Sequence, residues 1–360
     1  MSMKHYIHIT LAIVLTIVAA CTEHPIVQVP QVPESSRSYI FFEPEVMEAK
    51  TTKAAILEGK QLPTEAGTAF GVIGYYKGTS IFGPANLTQD SNNEYAKGIA
   101  KVYRPNQGGT FQYDKLVAWR DRNAEATDLH HFYAFYPLTL ENDASHPDKE
   151  PRISYTLPKT EAQMVDILTA YTPTPRCASV VLEFKHHLWA LDVEVVNRQT
   201  GDGYSQPGAA LTPPDLTVVS VKVTMENIPS AGTMVIAGTD CTVSSRATQE
   251  YTLPQTGVKI SPVDNPETTD VKENASIFGP LLFLPTVVSY DDGMVGYKLD
   301  FKFKNHWGVE YTESFNGTFK LERFEAGKRY KLTIVKKDTE ANVDLDVTDW
   351  TPYPVEHTFQ

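Results

Sequence analysis

Short apolar runs, separated by proline, glycine and polar residues, recur along most of this chain. Two are apolar over nearly their whole length, FGVIGYY at 70–76 and HFYAFYP at 131–137, and a third, VVLEFKHHLWALDVEVV at 180–196, is longer and includes charged residues. Runs of this kind, rich in aromatic and β-branched residues and bounded by turn-forming residues, predict β-strands. The last run alternates around Phe184, which predicts a strand with one buried face.

The same pattern predicts strands at 39–42, 153–157, 216–225, 281–284, 297–303, 311–321, 330–335 and 342–349. Pro44 is expected to end the first of them, and Asp292-Gly293 and Asn316-Gly317 predict hairpin turns. Residues 163–170 are the one helical or loop segment predicted in the first half. About a dozen short strands with almost no amphipathic helix predict an all-β chain of two β-sandwiches in tandem. The stiff run TPTP at 172–175 divides them into 38–175 and 176–360.

The N-terminal segment predicts export and lipidation. Lys4 precedes a twelve-residue apolar run at 9–20, which is too short to span a membrane and is typical of a signal peptide. Ala19 and Ala20 before Cys21 match a bacterial lipoprotein signal, so residues 1–20 are expected to be removed and Cys21 acylated. The alternative is ordinary secretion with cleavage after Ala20. Residues 21–37 are proline-rich and predict a tether.

Charge and composition exclude some functions. A net charge of −12 argues against nucleic acid as a partner, and the sequence has no basic cluster for anionic lipid. With 41% hydrophobic and 21% charged residues the chain is typical of a globular protein. Cys177 and Cys241 remain after the lipidated cysteine. They could form a disulfide outside the cytoplasm or remain two separate thiols, and spacing alone does not decide between them.

No catalytic or nucleotide-binding motif is present, so we expect no enzyme activity and no cofactor. The pairs His130-His131 and His186-His187 cannot chelate a metal by themselves, because neighbours on a strand point to opposite faces. Asp344, Asp346 and Asp349 alternate on a predicted strand without the glycine of a calcium loop. We therefore expect no metal site. Four tryptophans could stack on sugars, although Trp189 and Trp350 lie in strand-like contexts that favour core packing.

The order of these motifs resembles a known family. After the lipoprotein signal come FGVIGYY, HFYAFYP, ISYTLP at 153–158, VDILTA at 165–170, VVLEFKHHLWALDVEV, FEAGKRYKLTI at 324–334 and DVTDW at 346–350. Together they resemble the fimbrillin (FimA/Mfa-like) family of Bacteroides-type bacteria. The resemblance implies two tandem transthyretin-like β-sandwiches and a pilus subunit that travels to the outer membrane as a surface-exposed lipoprotein.

The resemblance also implies how such a subunit assembles. A surface protease, usually arginine-specific, removes the N-terminal strand with its lipid, and a strand from another pilin subunit fills the groove that is left. The removable strand would be formed by Tyr39, Ile40, Phe41 and Phe42. The donor or closing strand would present Val343, Leu345, Val347, Val355 and Phe359.

The cleavage site departs from the family pattern. The usual threonine–arginine pair corresponds here to Thr52-Lys53, while Arg37 precedes the strand. Cutting at Lys53 would remove the strand, whereas cutting at Arg37 would release the lipid and leave it. The chain could thus be a stalk, an anchor, or a tip that contacts a host or bacterial surface ligand. The competing hypothesis is a surface glycan-binding lipoprotein, which exposed tryptophans near a carboxylate would favour.

Overall fold

The structure is a computed structural model. It describes residues 39–46, 62–63, 65–82, 98–113, 117–120, 128–143, 150–176, 179–199, 215–253, 257–262, 275–288, 293–305, 307–337 and 341–349. By its internal contacts the chain divides after Tyr39, and every strand described here lies in the second unit, Ile40–Gln360.

The described residues are almost entirely β-structure, with no α-helix among them and one 3₁₀ turn at Glu161–Gln163. This confirms the all-β prediction. The first strands are β1 (Phe42–Val46), β2 (Ala69–Tyr76), β3 (Thr79–Ser80), β4 (Ile99–Tyr103), β5 (Gln112–Tyr113), β6 (His130–Tyr136), β7 (Glu141–Asp143), β8 (Arg152–Thr156), β9 (Leu168–Thr174) and β10 (Val180–His186). They are followed by β11 (Trp189–Asn197), β12 (Leu216–Val235), β13 (Cys241–Leu253), β14 (Val258–Ile260), β15 (Ala275–Phe283), β16 (Thr286–Val287), β17 (Gly296–Lys304), β18 (Glu310–Thr318), β19 (Arg323–Phe324), β20 (Lys328–Lys336) and β21 (Ala341–Asp349).

Three sheets hold most of these strands. The eight-stranded sheet has the order β1-β10-β9-β6-β2-β4-β5, with β3 beside β2. The four-stranded sheet has the order β15-β11-β20-β21. The seven-stranded sheet has the order β18-β17-β12-β8-β7, and β13 and β14 also pair with β12. Among the strands that the structure describes, β1 and β21 are therefore each the last strand at one edge of their sheet.

The central strands of the eight-stranded sheet are buried on both faces. Phe70 and Phe132 belong to a first core cluster, whereas Ile73 and Phe135 on the same two strands belong to a second. Because both faces are covered, the sequences FGVIGYY and HFYAFY are apolar runs without alternation. Such a sheet lies between two cores.

The second core cluster also joins the four-stranded and seven-stranded sheets. Trp189 on β11 is fully buried, donates from Nε1 to the carbonyl of Leu284 at 2.8 Å, and stacks on Phe324 with ring centroids 4.2 Å apart. Phe301 and Phe303 on β17 enter the same cluster from the other sheet. Two sheets covering one apolar layer have the arrangement of a β-sandwich.

Three local predictions beyond the first strand were wrong. Asn316-Gly317 forms no turn but lies inside β18, where the ring of Tyr297 on β17 covers Gly317 and a Cβ there would come to 2.7 Å from its hydroxyl. Residues 168–170 of the predicted helical or loop segment belong to β9. The run at 180–196 is two strands in different sheets, with the break at His187 and Leu188.

The division into domains at 175/176 stays a prediction. Residues 172–174 lie in β9, and β10, beyond the predicted boundary, also belongs to the eight-stranded sheet. Conversely β8, before the boundary, pairs with β12 in the seven-stranded sheet. Strands from both sides of residue 175 thus contribute to each of these two sheets.

Candidate functional site

The predicted removable strand lies at the edge of the eight-stranded sheet. β1 pairs in parallel with β10, from Phe42 opposite Val180 to Val46 opposite Phe184. The N–H of Val180 donates to the carbonyl of Phe41 at 2.7 Å, and on the opposite side the N–H of Ile40 donates to the carbonyl of Val117 at 2.9 Å. Within the described residues, the segment is therefore held by backbone bonds on both sides at its start and by β10 further along.

Two side chains anchor this segment in the first core cluster. Ile40 is fully buried and Phe42 is 7% exposed. The Phe42 ring meets Phe132 edge-on with centroids 5.5 Å apart and also contacts Tyr113, at 5.7 Å. The hydroxyl of Tyr113 donates to the carbonyl of Ile40. Tyr39, by contrast, is partly exposed.

Pro44 does not end the strand, contrary to the sequence prediction. β1 begins at Phe42 and continues through Pro44 to Val46. The carbonyl of Phe41 accepts a bond from β10, so alternation turns the backbone of Phe42 and Pro44 away from β10. A proline nitrogen on the outer side of an edge strand removes no hydrogen bond from the ladder.

The strand that β1 covers, β10, has alternating buried and exposed residues, and we call the surface that β1 covers the β10 groove. Along β10, Val180, Leu182, Phe184 and His186 are buried, while the residues between them are exposed. The alternation was visible in the sequence, but the sequence did not identify β10 as the strand that β1 covers. Parallel pairing between segments this far apart leaves no local signal such as a turn.

The predicted donor or closing strand lies at the edge of the four-stranded sheet. β21 pairs antiparallel with β20 over its full length, from Lys336 opposite Ala341 to Lys328 opposite Asp349. Val343 and Leu345 pack partly against the second core cluster, whereas Val347 is 43% exposed. Asp344 and Asp346 are exposed on the other face. The structure therefore brings Val343 and Leu345 together on the core side.

Two ion pairs fix the strands beside β21. Arg329 on β20 donates to both carboxylate oxygens of Asp192 on β11, with Nη2 at 3.1 Å from Oδ1, and Asp192 is 3% exposed. Lys331 lies 3.1 Å from Glu194 on the same two strands. These ion pairs therefore join β11 and β20, the strands beside β21, in addition to their backbone hydrogen bonds.

Several predicted site residues lie outside the described residues. They are the lipidation site Cys21, the candidate cleavage sites Arg37 and Lys53, and Val355 and Phe359. Cys177 and Trp350 are also outside. Cys241 is a free thiol, and burial raises its pKa to about 11. Among the residues that the structure describes, no helix is long and apolar enough to span a membrane.

The histidines have structural contacts on opposite faces. His130 is buried and stacks on Tyr76 with centroids 4.3 Å apart, whereas Nδ1 of His131 lies 2.8 Å from the hydroxyl of Tyr171. His186 pairs with the buried Asp166 at 2.9 Å, and Nδ1 of His187 lies 3.0 Å from the hydroxyl of Thr169. In the described part of the chain, no three histidine, cysteine, aspartate or glutamate side chains are grouped to hold a metal ion.

The tryptophans do not form a shared platform. Trp119 and Trp189 are buried, and only Trp307, in the turn between β17 and β18, is exposed among the three that the structure describes. A sugar-stacking surface usually needs an accessible aromatic face with polar groups around it. The glycan-binding hypothesis therefore finds little support in the described residues.

Comparison with known proteins places this chain in a family. The model of the fimbrillin-like family matches residues 52–350, which is most of the chain. No curated protein matches it. Solved structures that resemble it include a fimbrial protein from Bacteroides vulgatus, 14% identical, covering 80% of this chain and 95% of that one with a TM-score of 0.49. A candidate cell adhesion protein from Bacteroides uniformis is 18% identical, with 80% and 93% covered and a TM-score of 0.45.

A second candidate cell adhesion protein, from Bacteroides ovatus, is 13% identical, with 88% of this chain and 98% of that one covered and a TM-score of 0.46. These resemblances are at low identity, so the assignment rests on the family model. That model covers β2 through β21, including the β10 groove and all of the core-facing residues of β21. The chain belongs to the fimbrillin-like family.

Proposed function

We propose that this protein is a structural pilus subunit that assembles by exchange of an edge strand. Its family supports a role as a pilus subunit or adhesin at the cell surface, with pilin subunits as partners and without catalysis. In the proposed cycle a surface protease removes β1, and a strand of another subunit pairs with β10. The single observation that supports this most directly is the pairing of β1 with β10.

The contacts of β1 explain why its loss would drive assembly. Removing β1 would uncover the backbone edge of β10 and the pockets around Val180, Leu182 and Phe184. An uncovered edge with apolar pockets readily pairs with another strand. The two side chains Ile40 and Phe42 alone bury apolar surface worth roughly 3–6 kcal/mol, a large part of the about 5–15 kcal/mol by which a native protein is stable.

A donor strand would restore what β1 supplied. Main-chain bonds to β10 would give affinity, and alternate apolar side chains would set the register. The alternating residues Val343, Leu345 and Val347, with Val355 and Phe359 beyond them, are the proposed donors. In the structure β21 pairs with β20 in its own sheet, so donation by β21 requires that strand to leave its position.

Processing decides between the possible roles. Cleavage at Lys53 would remove β1, because Lys53 follows it in the chain, whereas cleavage at Arg37 would release Cys21 and its lipid but keep β1. The first outcome gives a polymerising stalk subunit. The second, or no cleavage, gives an outer-membrane anchor or a tip subunit that contacts a surface ligand.

The test is the N-terminus of the protein sheared from the surface of its native cell. It should be read by mass spectrometry, together with a heat-resistant ladder of oligomers on a denaturing gel. A start near residues 51–54 together with a ladder would support strand exchange. An acylated Cys21 on a protein that remains monomeric would overturn the stalk role.

A further inference from the structure

A cleft of about 520 Å³ lies between β13 and β16, outside the eight-stranded sheet that contains the β10 groove. Its lining includes Cys241, Val243, Ser244, Arg246, Thr286 and Val287. We call it the Arg246 cleft. Hydroxyl groups, two valines and one guanidinium group line it, whereas no carboxylate of the described residues does. Its volume is within the usual range of ligand-binding clefts.

The guanidinium group of Arg246 is held in place by neutral acceptors. Its Nη1 donates to the carbonyl of Asn227 at 3.1 Å, and its Nη2 lies 2.8 Å from Oγ1 of Thr286 and 3.4 Å from the carbonyl oxygen of Val287. The hydroxyl of Thr286 also donates to that carbonyl at 3.1 Å, so one N–H group can point at both acceptors. These bonds use at most three of the five N–H donors of an arginine. At least two donors therefore have no partner among the described residues.

The positive charge of Arg246 is not balanced by a neighbouring anion. No carboxylate of the described residues pairs with it, and burial raises the pKa of Cys241 to about 11, so this thiol is neutral at pH 7. A second arginine, Arg323, is exposed opposite Val287 in the pair of β16 and β19 and has no ion pair within the described part of the chain. Side chains directly opposite each other project from the same face of a sheet. Two such cations attract an anion, and a guanidinium group binds a carboxylate through two parallel hydrogen bonds.

Two irregularities in β12 position Arg246. Arg246 is opposite Pro229, and the register of β12 with β13 shifts on both sides of this pair, between Met225 and Ile228 and between Pro229 and Ala231. Asn227, whose carbonyl holds Nη1, lies in the first of these shifts. Bulges redirect the side chains of a strand and are frequent next to functional sites. The distortion therefore serves to hold the guanidinium group in the cleft.

One wall of the cleft is a strand with an open edge. Among the described strands, β13 pairs with β12 alone and β16 pairs with β19 alone. The cleft therefore lies between two strands that are not paired with each other. An open edge can pair with an extended peptide through its backbone, which a free anion cannot do. A peptide with a carboxylate would use both the edge of β13 and the guanidinium group.

We propose that the Arg246 cleft binds an extended, acidic peptide segment of a second copy of this chain. One aspartate or glutamate of the segment would pair with Arg246, its backbone would pair with the outer edge of β13, and its apolar side chains would contact Val243 and Val287. Charge complementarity favours a second copy, since the chain has 44 acidic and 32 basic residues. The proposal rests on the proposed function, because it adds a second contact between neighbouring pilus subunits.

The first experiment uses the unprocessed monomer, in which β1 covers the β10 groove. The probe is an acetylated peptide with the sequence of residues 341–349, in which apolar and acidic residues alternate. Its control has asparagine in place of the three aspartates. Cys241 reports on the cleft, because a bound peptide shields its thiol from N-ethylmaleimide and mass spectrometry reads this cysteine separately. We expect the acidic peptide to slow the modification, and the asparagine peptide to bind about tenfold more weakly because it lacks a charge-assisted hydrogen bond.

Variants of the protein locate the recognised charge. R246Q should weaken binding of the acidic peptide about tenfold, and R246K should restore only part of the affinity, because lysine lacks the planar fork. K222Q is the charge-matched control, since Lys222 pairs with Glu250 on the same two strands and does not line the cleft. It should bind the peptide as the unmodified protein does. The two peptides are compared on the unmodified protein, so the result does not depend on the folding of R246Q.

Three results would overturn the proposed recognition. They are equal binding of the two peptides, binding that R246Q leaves unchanged, and no binding of either peptide at about 1 mM. Sodium glutarate, a free dicarboxylate without a peptide backbone, tests the alternative of a small anion. If it shields Cys241 as well as the peptide does at equal concentration, the cleft is a site for small carboxylates and the peptide proposal is wrong.

The assembled protein separates this contact from strand exchange. Cys241 should be modified more slowly in the sheared polymer than in the monomer. A heat-resistant ladder in which the two rates are equal would overturn the contact between copies and leave strand exchange standing. If no ladder forms, the polymerisation proposal fails, and the peptide measurement on the monomer decides by itself whether the cleft binds an acidic segment.

Discussion

Phe135 on β6 lies directly over Gly71 on β2, and the two residues are opposite each other in the antiparallel pair. A Cβ at position 71 would come to 2.4 Å from Cζ of the Phe135 ring. Gly71 belongs to FGVIGYY and Phe135 to HFYAFYP, two of the runs by which the sequence resembles fimbrillins. The resemblance thus has a packing basis, because the glycine makes room for a ring that belongs to the second core cluster.

Replacing this glycine should destabilise the protein. In G71A the methyl group forces the Phe135 ring out of its position in a close-packed core, which typically costs about 1–3 kcal/mol. The measurement is urea-induced unfolding followed by tryptophan fluorescence, with the midpoint expected to fall and the slope to stay constant.

Gly238 provides the matched control. A Cβ at that position would meet nothing closer than 3.8 Å, and its φ is not in the left-handed region. G238A should therefore unfold within about 0.5 kcal/mol of the unmodified protein. Equal losses in the two variants would show that the ring of Phe135 does not restrict position 71.

Much of the fold could be predicted from local pattern. The runs at 70–76, 131–137 and 330–335 are strands because aromatic and β-branched residues repeat between turn-forming residues. The prediction of a hairpin turn at Asn316-Gly317 was wrong because it used only the local sequence. The contact that keeps Gly317 in β18 comes from Tyr297 on another strand. The prediction that Pro44 ends its strand was wrong for a related reason. An edge strand tolerates proline, and a sequence does not show which strands lie at an edge.

The candidate site was predicted in part. The apolar residues of β21 could be read from their alternation, and Val343 and Leu345 do face the core. The β10 groove could not be predicted from the sequence, because it depends on which distant strands become neighbours.

Breaking the pair between Arg329 and Asp192 should cost more than breaking a surface pair. R329A leaves a carboxylate that is 3% exposed without its bidentate partner, and removing one member of a buried pair costs roughly 3 kcal/mol or more. K302A, which breaks the exposed pair with Glu310, should give no resolvable change. Both are measured by urea unfolding at one pH. A loss in K302A as large as in R329A would contradict the importance of burial here.

His187 should make the fold sensitive to mild acid. Burial lowers its pKa to about 4, against 6.5 for an ordinary histidine, although the charge of Asp240 opposes the shift. Between about pH 4 and pH 6.5 the unfolded chain therefore binds a proton at His187, whereas the folded chain does not. Its contribution to stability is intact above about pH 6.5 and declines towards pH 4, by on the order of 3 kcal/mol.

H187Q should reduce this pH dependence, because glutamine does not titrate. The measurement is the free energy of unfolding at pH 7 and pH 4.5 for both proteins. H131Q is the control, since His131 is partly exposed on β6 and bonds Tyr171 near the surface. If H187Q loses as much stability between the two pH values as the unmodified protein does, another group is responsible.

Two core substitutions should distinguish the monomer from the assembled polymer. F42A removes a buried ring of β1 and L182A removes a fully buried side chain of β10, so each should lower the free energy of unfolding of the unprocessed monomer by about 2–5 kcal/mol. If β1 is lost on assembly, F42A leaves the heat resistance of the polymer unchanged, whereas L182A lowers it because β10 still forms the groove floor. The dissociation temperature of the oligomer ladder measures this directly. A polymer weakened by F42A as much as by L182A would mean that β1 stays in place beside β10 and that the donor strand binds elsewhere.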